Sequence, residues 1–203
     1  MLRHILPLAP ALAVGLALSA AAEPLPQIED RIRPGDVERL SQREAVVGRS
    51  LLGAFAEGAP EDVQIVVEGL SGALLPAAEA AEVMAGDWSC RVVKLGGILP
   101  LTAYAPFRCR IGADGSFEKL TGSQRMIGQI GLRGEQMVYA GTGFIAGDTP
   151  PPYAELPAET DVTANPQRVP EVGVVEFTSG SKGRMILPLP YLESELNLLL
   201  LSR

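Results

Sequence analysis

The chain has 203 residues, 47% hydrophobic and 20% charged, which is long enough to bury a core and too apolar for a disordered tail. Its 24 acidic and 17 basic residues give a formal charge of −7, which argues against nucleic acid or an anionic lipid surface as main partner, since both require a basic face.

Residues 1–22 read as a secretory signal. Arg3 and His4 form a short basic start, an apolar run covers 5–18, and Ala20-Ala21-Ala22 fit the small-residue cleavage pattern. The run is shorter than the ~20 residues of a spanning helix, and no later stretch qualifies, so the mature chain is expected to have no transmembrane segment. Cleavage after Ala22 would start that chain at Glu23 and place it in the periplasm or outside the cell, without the only histidine, His4. No cysteine lies near the cleavage point for lipid attachment. A chain without imidazole cannot build Ser-His-Asp or Cys-His catalysis. With two cysteines it offers no ordinary zinc or copper site. The expectation is therefore no metal, no cofactor and no enzyme of those classes; carboxylate chemistry stays open.

Of the ten aromatic residues only Phe55 precedes Trp88. The composition predicts a helical segment over 23–85 and a β domain over 86–203. A first helix is expected after Pro34-Gly35 with Asp36 as N-cap, carrying Val37, Leu40, Val47, Leu51, Ala54 and Phe55 as an apolar stripe and ending at Gly58. A second starts at Ala59-Pro60-Glu61-Asp62, with acids facing the positive end of the helix dipole, and buries Val63, Val66, Val67 and Leu70. The Val-rich run 64–67 also suits a strand. A short third helix is read over 77–84.

From Gly86 on, alternation predicts strands over 87–95, 104–111, 116–121, 124–132, 136–145, 172–178, 184–190 and 195–201. Asp114-Gly115 has the composition of a two-residue hairpin turn, and Arg133-Gly134 and Ser179-Gly180 mark further reversals. Eight short strands suggest a meander that closes on itself and so removes exposed edges. The segment 146–171 interrupts the pattern with six prolines and many acids, as a functional flap or a mobile stretch would. Its Pro150-Pro151-Pro152-Tyr153 reads as a stiff loop or a polyproline ligand.

Two cysteines in an exported chain usually pair. Trp88, Cys90 and Val92 share one strand face, and Phe107, Cys109 and Ile111 share another, so Cys90 and Cys109 both sit among apolar neighbours. A disulfide lining the core is expected; two buried free thiols are the alternative. The opposite face carries Arg91, Arg108 and Arg110. With the cysteines directly opposite, Arg91 would face Arg108 and require a negative neighbour. Glu118, a carboxylate from 155–161, or an anionic ligand or partner are the candidates.

Other motifs weigh less. Ser116-Phe117-Glu118-Lys119 matches S-x-x-K, but on a strand its Ser and Lys point to opposite faces. Gly141-Thr142-Gly143 followed by Gly147 lacks the helix a phosphate loop needs and is read as room for a strand to bend. Glu193 and Glu195 would share one strand face beside solvent; with Asp148 they are the candidates for a carboxylate-dependent hydrolase. Gly86-Asp87-Trp88 opening the first strand of a barrel resembles the lipocalin-type pattern, in which the Trp plugs one end; any core Trp would also satisfy it.

The stretch 86–96, Phe107-Arg108-Cys109-Arg110, the stretch 119–125, and Met185-Ile186-Leu187-Pro188-Leu189-Pro190 with Glu193-Ser194 resemble an exported bacterial family known as domain of unknown function 4893. The resemblance spans about 30–201. It implies export and the cysteine pairing, and supplies no catalytic residue. The resulting expectation is an α+β protein, an N-terminal helical segment packed on an antiparallel, barrel-like sheet of about eight strands. Its function is expected to be non-enzymatic, binding a small apolar ligand or an envelope protein. The alternatives are an inhibitor of a secreted hydrolase, with 146–171 as reactive surface, and the carboxylate-dependent hydrolase.

Overall fold

Strand β1 (Gly86–Leu95) is the seam on which the sheet closes. One edge pairs with β3 (Phe107–Ile111) along its first half and with the short β2 (Leu101–Ala103) along its second. The other edge pairs with the last strand, β9 (Leu196–Ser202). Between them run β4 (Ser116–Lys119), β5 (Gln124–Arg133), β6 (Gln136–Ile145), β7 (Arg168–Ser179) and β8 (Lys182–Pro188), each antiparallel to the next. Eight strands thus close a barrel, with β2 as an added rung. The computed structural model describes residues 24–203, so the expected signal 1–22, with His4, and Glu23 lie outside the described residues.

Alternation sorts the side chains between two cores. Trp88, Cys90, Cys109, Ile111, Phe117, Ile130, Met137, Tyr139 and Phe177 point inward and pack together. The apolar run of β9 has no polar face because both of its faces are covered: Leu199 and Leu201 face inward, while Leu196 and Leu198 meet helices outside. The helices are α1 (Pro34–Ser41), α2 (Arg43–Glu57), α3 (Pro60–Leu70) and α4 (Ala77–Met84). Val46, Ala54 and Val66 from α2 and α3 cover Val93, Leu95 and Ile186. Leu40 of α1, with Ile28 and Ile32 before it, covers Val138, Ala140, Val172 and Val174.

Helix α4 closes one end of the barrel. Trp88 is 2% exposed there, stacks at a tilt on Phe177 (centroids 5.5 Å apart), and donates from Nε1 to the Met84 carbonyl at 2.8 Å. The Arg203 guanidinium lies 4.1 Å above the Trp88 ring and donates to the Val83 and Ala85 carbonyls, the former with a very short contact. Those carbonyls are acceptors that a helix C-terminus leaves without intrahelical partners.

Several expectations need correction. The first helix is two: α1 begins at Pro34 with Arg33 as N-cap, and the chain turns at Gln42 before α2. Asp36 is not the N-cap but lies inside α1, 1% exposed, paired with Arg39 at 2.8 Å. Phe55 and Val67 face solvent rather than the core, while Val46 is fully buried. The run 64–67 is helical. The strand expected over 104–111 is broken at Tyr104-Ala105-Pro106, where Pro106 has no amide to donate. The Asp114-Gly115 reversal is a four-residue turn, Gly112 to Gly115, in which only Gly115 takes a positive φ (82°) and Asp114 accepts from the Ser116 amide. Strand β7 starts at Arg168, earlier than the alternation indicated, because Pro166 and Pro170 mask the signal; the Pro170 carbonyl is taken by Arg39 at 3.1 Å.

The proline-rich segment is a strap along the outer wall. Thr142 on β6 donates to the Pro151 carbonyl at 3.0 Å, and the Tyr153 hydroxyl donates to Asp36 at 2.6 Å. Leu156 is buried, and Arg168 grips Asp148 with two 2.7 Å bonds.

Candidate binding cavity

The barrel is filled at the Trp88 end and open at the other. At the open end a cavity of about 290 Å³ is lined by the apolar Val92, Phe107, Met126 and Val169 and by the polar Lys94, Lys119, Gln124, Glu171 and Glu193. Inward parity explains this mixture. Lys94 follows Trp88, Cys90 and Val92 at two-residue steps, and Lys119 follows Phe117. β1 and β4 therefore change from apolar to charged along their inner faces as they approach the mouth.

Gly141 and Gly128 are directly paired across β5 and β6. A Cβ at Gly141 would lie 2.0 Å from the Tyr139 hydroxyl, and one at Gly128 would lie 2.7 Å from the same ring. These two residues lack side chains where the Tyr139 ring lies flat along the inner wall. Its hydroxyl is buried without a hydrogen-bond partner, as is Oε2 of Glu171. Glu171 touches the cavity along part of its side chain, but burial of its carboxyl pushes its pKa up to about 7, against the opposing pull of Arg39 and Lys94. The Tyr139 hydroxyl is driven well above its ordinary value by burial first and by Glu171 second. Two polar atoms without hydrogen-bond partners thus sit side by side in the barrel interior.

The cations differ in how they are held. Lys119 is 3% exposed and donates to the Thr121 and Gln124 carbonyls at 2.9 and 2.6 Å, with the Phe107 ring 3.8 Å away. Burial, helped by Arg125 and Lys94, brings its pKa down to about 8. Arg125 donates to the Leu120 and Gly122 carbonyls. These two cations pin the β4–β5 turn. Lys94 instead reaches side chains only: the Gln124 amide oxygen at 3.1 Å and, in a very short contact, the Glu193 carboxylate.

Glu193 stands on a left-handed backbone, φ 67°, rare for a residue with a side chain. The Gly96-Gly97 tip of the β1–β2 hairpin holds it there: the Ile98 amide donates to the Glu193 carbonyl at 3.2 Å, and a Cβ on Gly97 would lie 2.4 Å from that oxygen. Backbone strain of this kind persists where surrounding packing imposes it, and it concentrates at ligand sites.

The residues singled out by sequence are scattered. Cys90 and Cys109 form a disulfide, Cα atoms 5.9 Å apart, inside the barrel wall. They are diagonal, not opposite: Trp88 faces Cys109, and Cys90 faces Phe107. This two-residue offset removes the expected Arg91–Arg108 opposition. Arg108 faces Ser89, and Arg110 faces Asp87, which it binds at 2.6 Å on the exposed outer surface. Arg91 turns to the Tyr104 carbonyl. Of the three arginines on this outer face, Arg110 and Arg91 are thus engaged within the chain. Glu193 and Glu195 do not share a strand, because β9 starts at Leu196; Glu195 pairs with Arg49 outside, and Asp148 with Arg168. Ser116 and Lys119 take opposite faces, as the strand reading required. Lys94, Lys119, Gln124, Tyr139 and Glu171 were missed; their inward parity was the available signal.

Among the described residues no helix is long and apolar enough to cross a membrane, and no three His, Cys, Asp or Glu side chains gather as a metal site. No curated protein and no solved structure matches the chain. A family model described as Domain of unknown function (DUF4893) matches residues 29–201, the four helices and the barrel up to the next-to-last residue of β9, and the chain belongs to that family.

Proposed function

We propose that this chain is an exported binding protein that carries a small amphipathic molecule in the open end of its barrel. The observation that carries the reading is the half-filled interior: a cavity of about 290 Å³ lined by both apolar and polar side chains. Such a cavity lies near the lower end of ligand-pocket sizes, roughly 300 Å³ upward. The mouth is open and the other end is sealed by Trp88, α4 and Arg203, so a ligand enters from one side. An envelope partner handing over that ligand would meet the exposed Ile98 and Leu99 beside the mouth.

The competing readings have less support. An inhibitor needs a projecting reactive surface, whereas the strap lies bound along the wall through Thr142, Asp36 and Arg168. A carboxylate hydrolase needs two carboxylates aimed at a substrate. Glu171 has a raised carboxyl at the cavity, while Glu193 is engaged by Lys94, and Asp148 and Glu195 are paired elsewhere.

Native mass spectrometry of the protein purified from its own host tests the proposal. The expected result is a retained molecule of a few hundred daltons that is absent from Met126→Trp, whose ring would occupy the cavity. Masses equal to the bare chain for both proteins, with no small molecule recovered by extraction, would contradict it.

A further inference from the structure

The mouth of the cavity is positively biased in an acidic protein. Lys94, Lys119 and Arg125 converge there, close enough that the other two depress Lys119, while the chain as a whole carries −7. Against them stand Glu193 and the buried Glu171. Lys119 and Arg125 each donate twice to backbone carbonyls of the β4–β5 turn. Lys94 is the cation whose partners are side chains that can move.

Glu193 shows what that cation accepts. One of its carboxylate oxygens sits on Lys94 Nζ, and the other lies 3.4 Å from the Gln124 amide nitrogen. Lys94 and Gln124 thus hold a carboxylate from two sides. The carboxylate comes from a loop, on a left-handed backbone, with its side chain 44% exposed against 10% for Lys94. The cation belongs to the barrel wall and the anion is a visitor from the rim.

We infer that Lys94 and Gln124 form an anion subsite which Glu193 occupies in the free protein, and which the head group of an anionic amphiphile takes over on binding. This rests on the binding function proposed above. The ligand's apolar part would lie against Val92, Met126 and Val169, and its carboxylate or phosphate would replace Glu193 on Lys94. Glu193 is then a built-in competitor, and its removal should strengthen binding. A merely structural ion pair gives the opposite result.

The test is calorimetric titration of the wild type, Glu193→Gln and Lys94→Gln with octanoate, 1-octanol and octylamine, which share a chain and differ in head charge. Octanoate should bind the wild type about tenfold more tightly than octanol, with octylamine weakest. Glu193→Gln should tighten octanoate by about fivefold to tenfold and leave octanol unchanged. Lys94→Gln should abolish the preference for octanoate; should that variant not fold, Glu193→Gln decides alone. Tightest binding of octylamine, or weaker octanoate binding by Glu193→Gln, would overturn the inference. Equal binding of all three probes, lost in Met126→Trp, would leave the cavity as a ligand site and overturn only the anion subsite. Binding of none would overturn both. Octyl phosphate in place of octanoate separates a phosphate preference from a carboxylate one.

Discussion

Glu171→Gln should make the protein more stable at pH 8 by about 3 kcal/mol and leave it nearly unchanged below pH 4.5. The folded carboxyl titrates at about 7, above the 4.5 of an ordinary glutamate. Below 4.5 both folded and unfolded chains hold the proton, and burial costs nothing extra. Between 4.5 and 7 the folded chain binds more protons than the unfolded one, so its stability falls as pH rises. Above 7 the whole cost of an ionised, buried carboxylate is present. The charged groups facing it are Lys94 from β1 and Arg39 and Asp36 from α1, with the neutral Tyr139 hydroxyl from β6 beside it; none of them hydrogen-bonds its Oε2. Urea unfolding of both proteins at pH 5 and pH 8 isolates the effect, because every other titrating group is common to the pair. Parallel pH profiles would show that Glu171 titrates as an exposed carboxylate. A glutamate that costs stability at neutral pH and stands at the edge of a cavity is the kind of residue that function retains.

Removing the disulfide with Cys90→Ala and Cys109→Ala together should cost about 3 kcal/mol, as expected for a link closing a loop of this length. The two cysteines are 19 residues apart in sequence. Both side chains lie inside the wall, 0% and 1% exposed. A thiol reductant should therefore leave the folded protein intact and cleave the bond only under conditions that also open the barrel. Denaturation midpoints of the double variant, and mass-spectrometric counting of free thiols with and without urea, check both statements. Fast reduction of the native protein, or an unchanged midpoint in the double variant, would show that the bond holds nothing the barrel does not hold without it.

Strand positions were readable because the barrel enforces period-two burial: β5, β6 and β9 fall within a residue or two of where alternation placed them. Register was not readable. Directly opposite cysteines would put Arg108 opposite Arg91, but the two-residue diagonal between Cys90 and Cys109 brings Asp87 opposite Arg110. A diagonal disulfide and a direct one leave the same face pattern in sequence, so only the pairing itself distinguishes them. The cavity was hidden for a different reason. Lys94, Lys119 and Glu171 carry inward parity, but a charged residue at an inward position looks like an error in the strand assignment until the neighbouring strands show the same change at the same end. Strand β7 was shortened in the sequence reading for its prolines, which removed Glu171 from its proper face. Glu193 was placed on a strand with Glu195, and its left-handed backbone, set by contact with the distant Gly96-Gly97 hairpin, leaves no local signature.

The helical segment shows the complementary limit. Pro60 with Glu61 and Asp62 marks the start of α3, whereas α1 begins at Pro34, two residues ahead of the expected Asp36 cap. Which side each helix buries is set by the outer wall residues it meets: Val46 and Ala54 pack on Val93, Leu95 and Ile186, while Phe55 and Leu52 face outward.

The most direct measurement is a crystal structure of the protein grown with octanoate. The account predicts density inside the open end of the barrel, with the carboxylate on Lys94 and Gln124, the chain along Val92, Met126 and Val169, and Glu193 turned out to solvent. A cavity that stays unoccupied at saturating octanoate, with Glu193 still bound to Lys94, would contradict it.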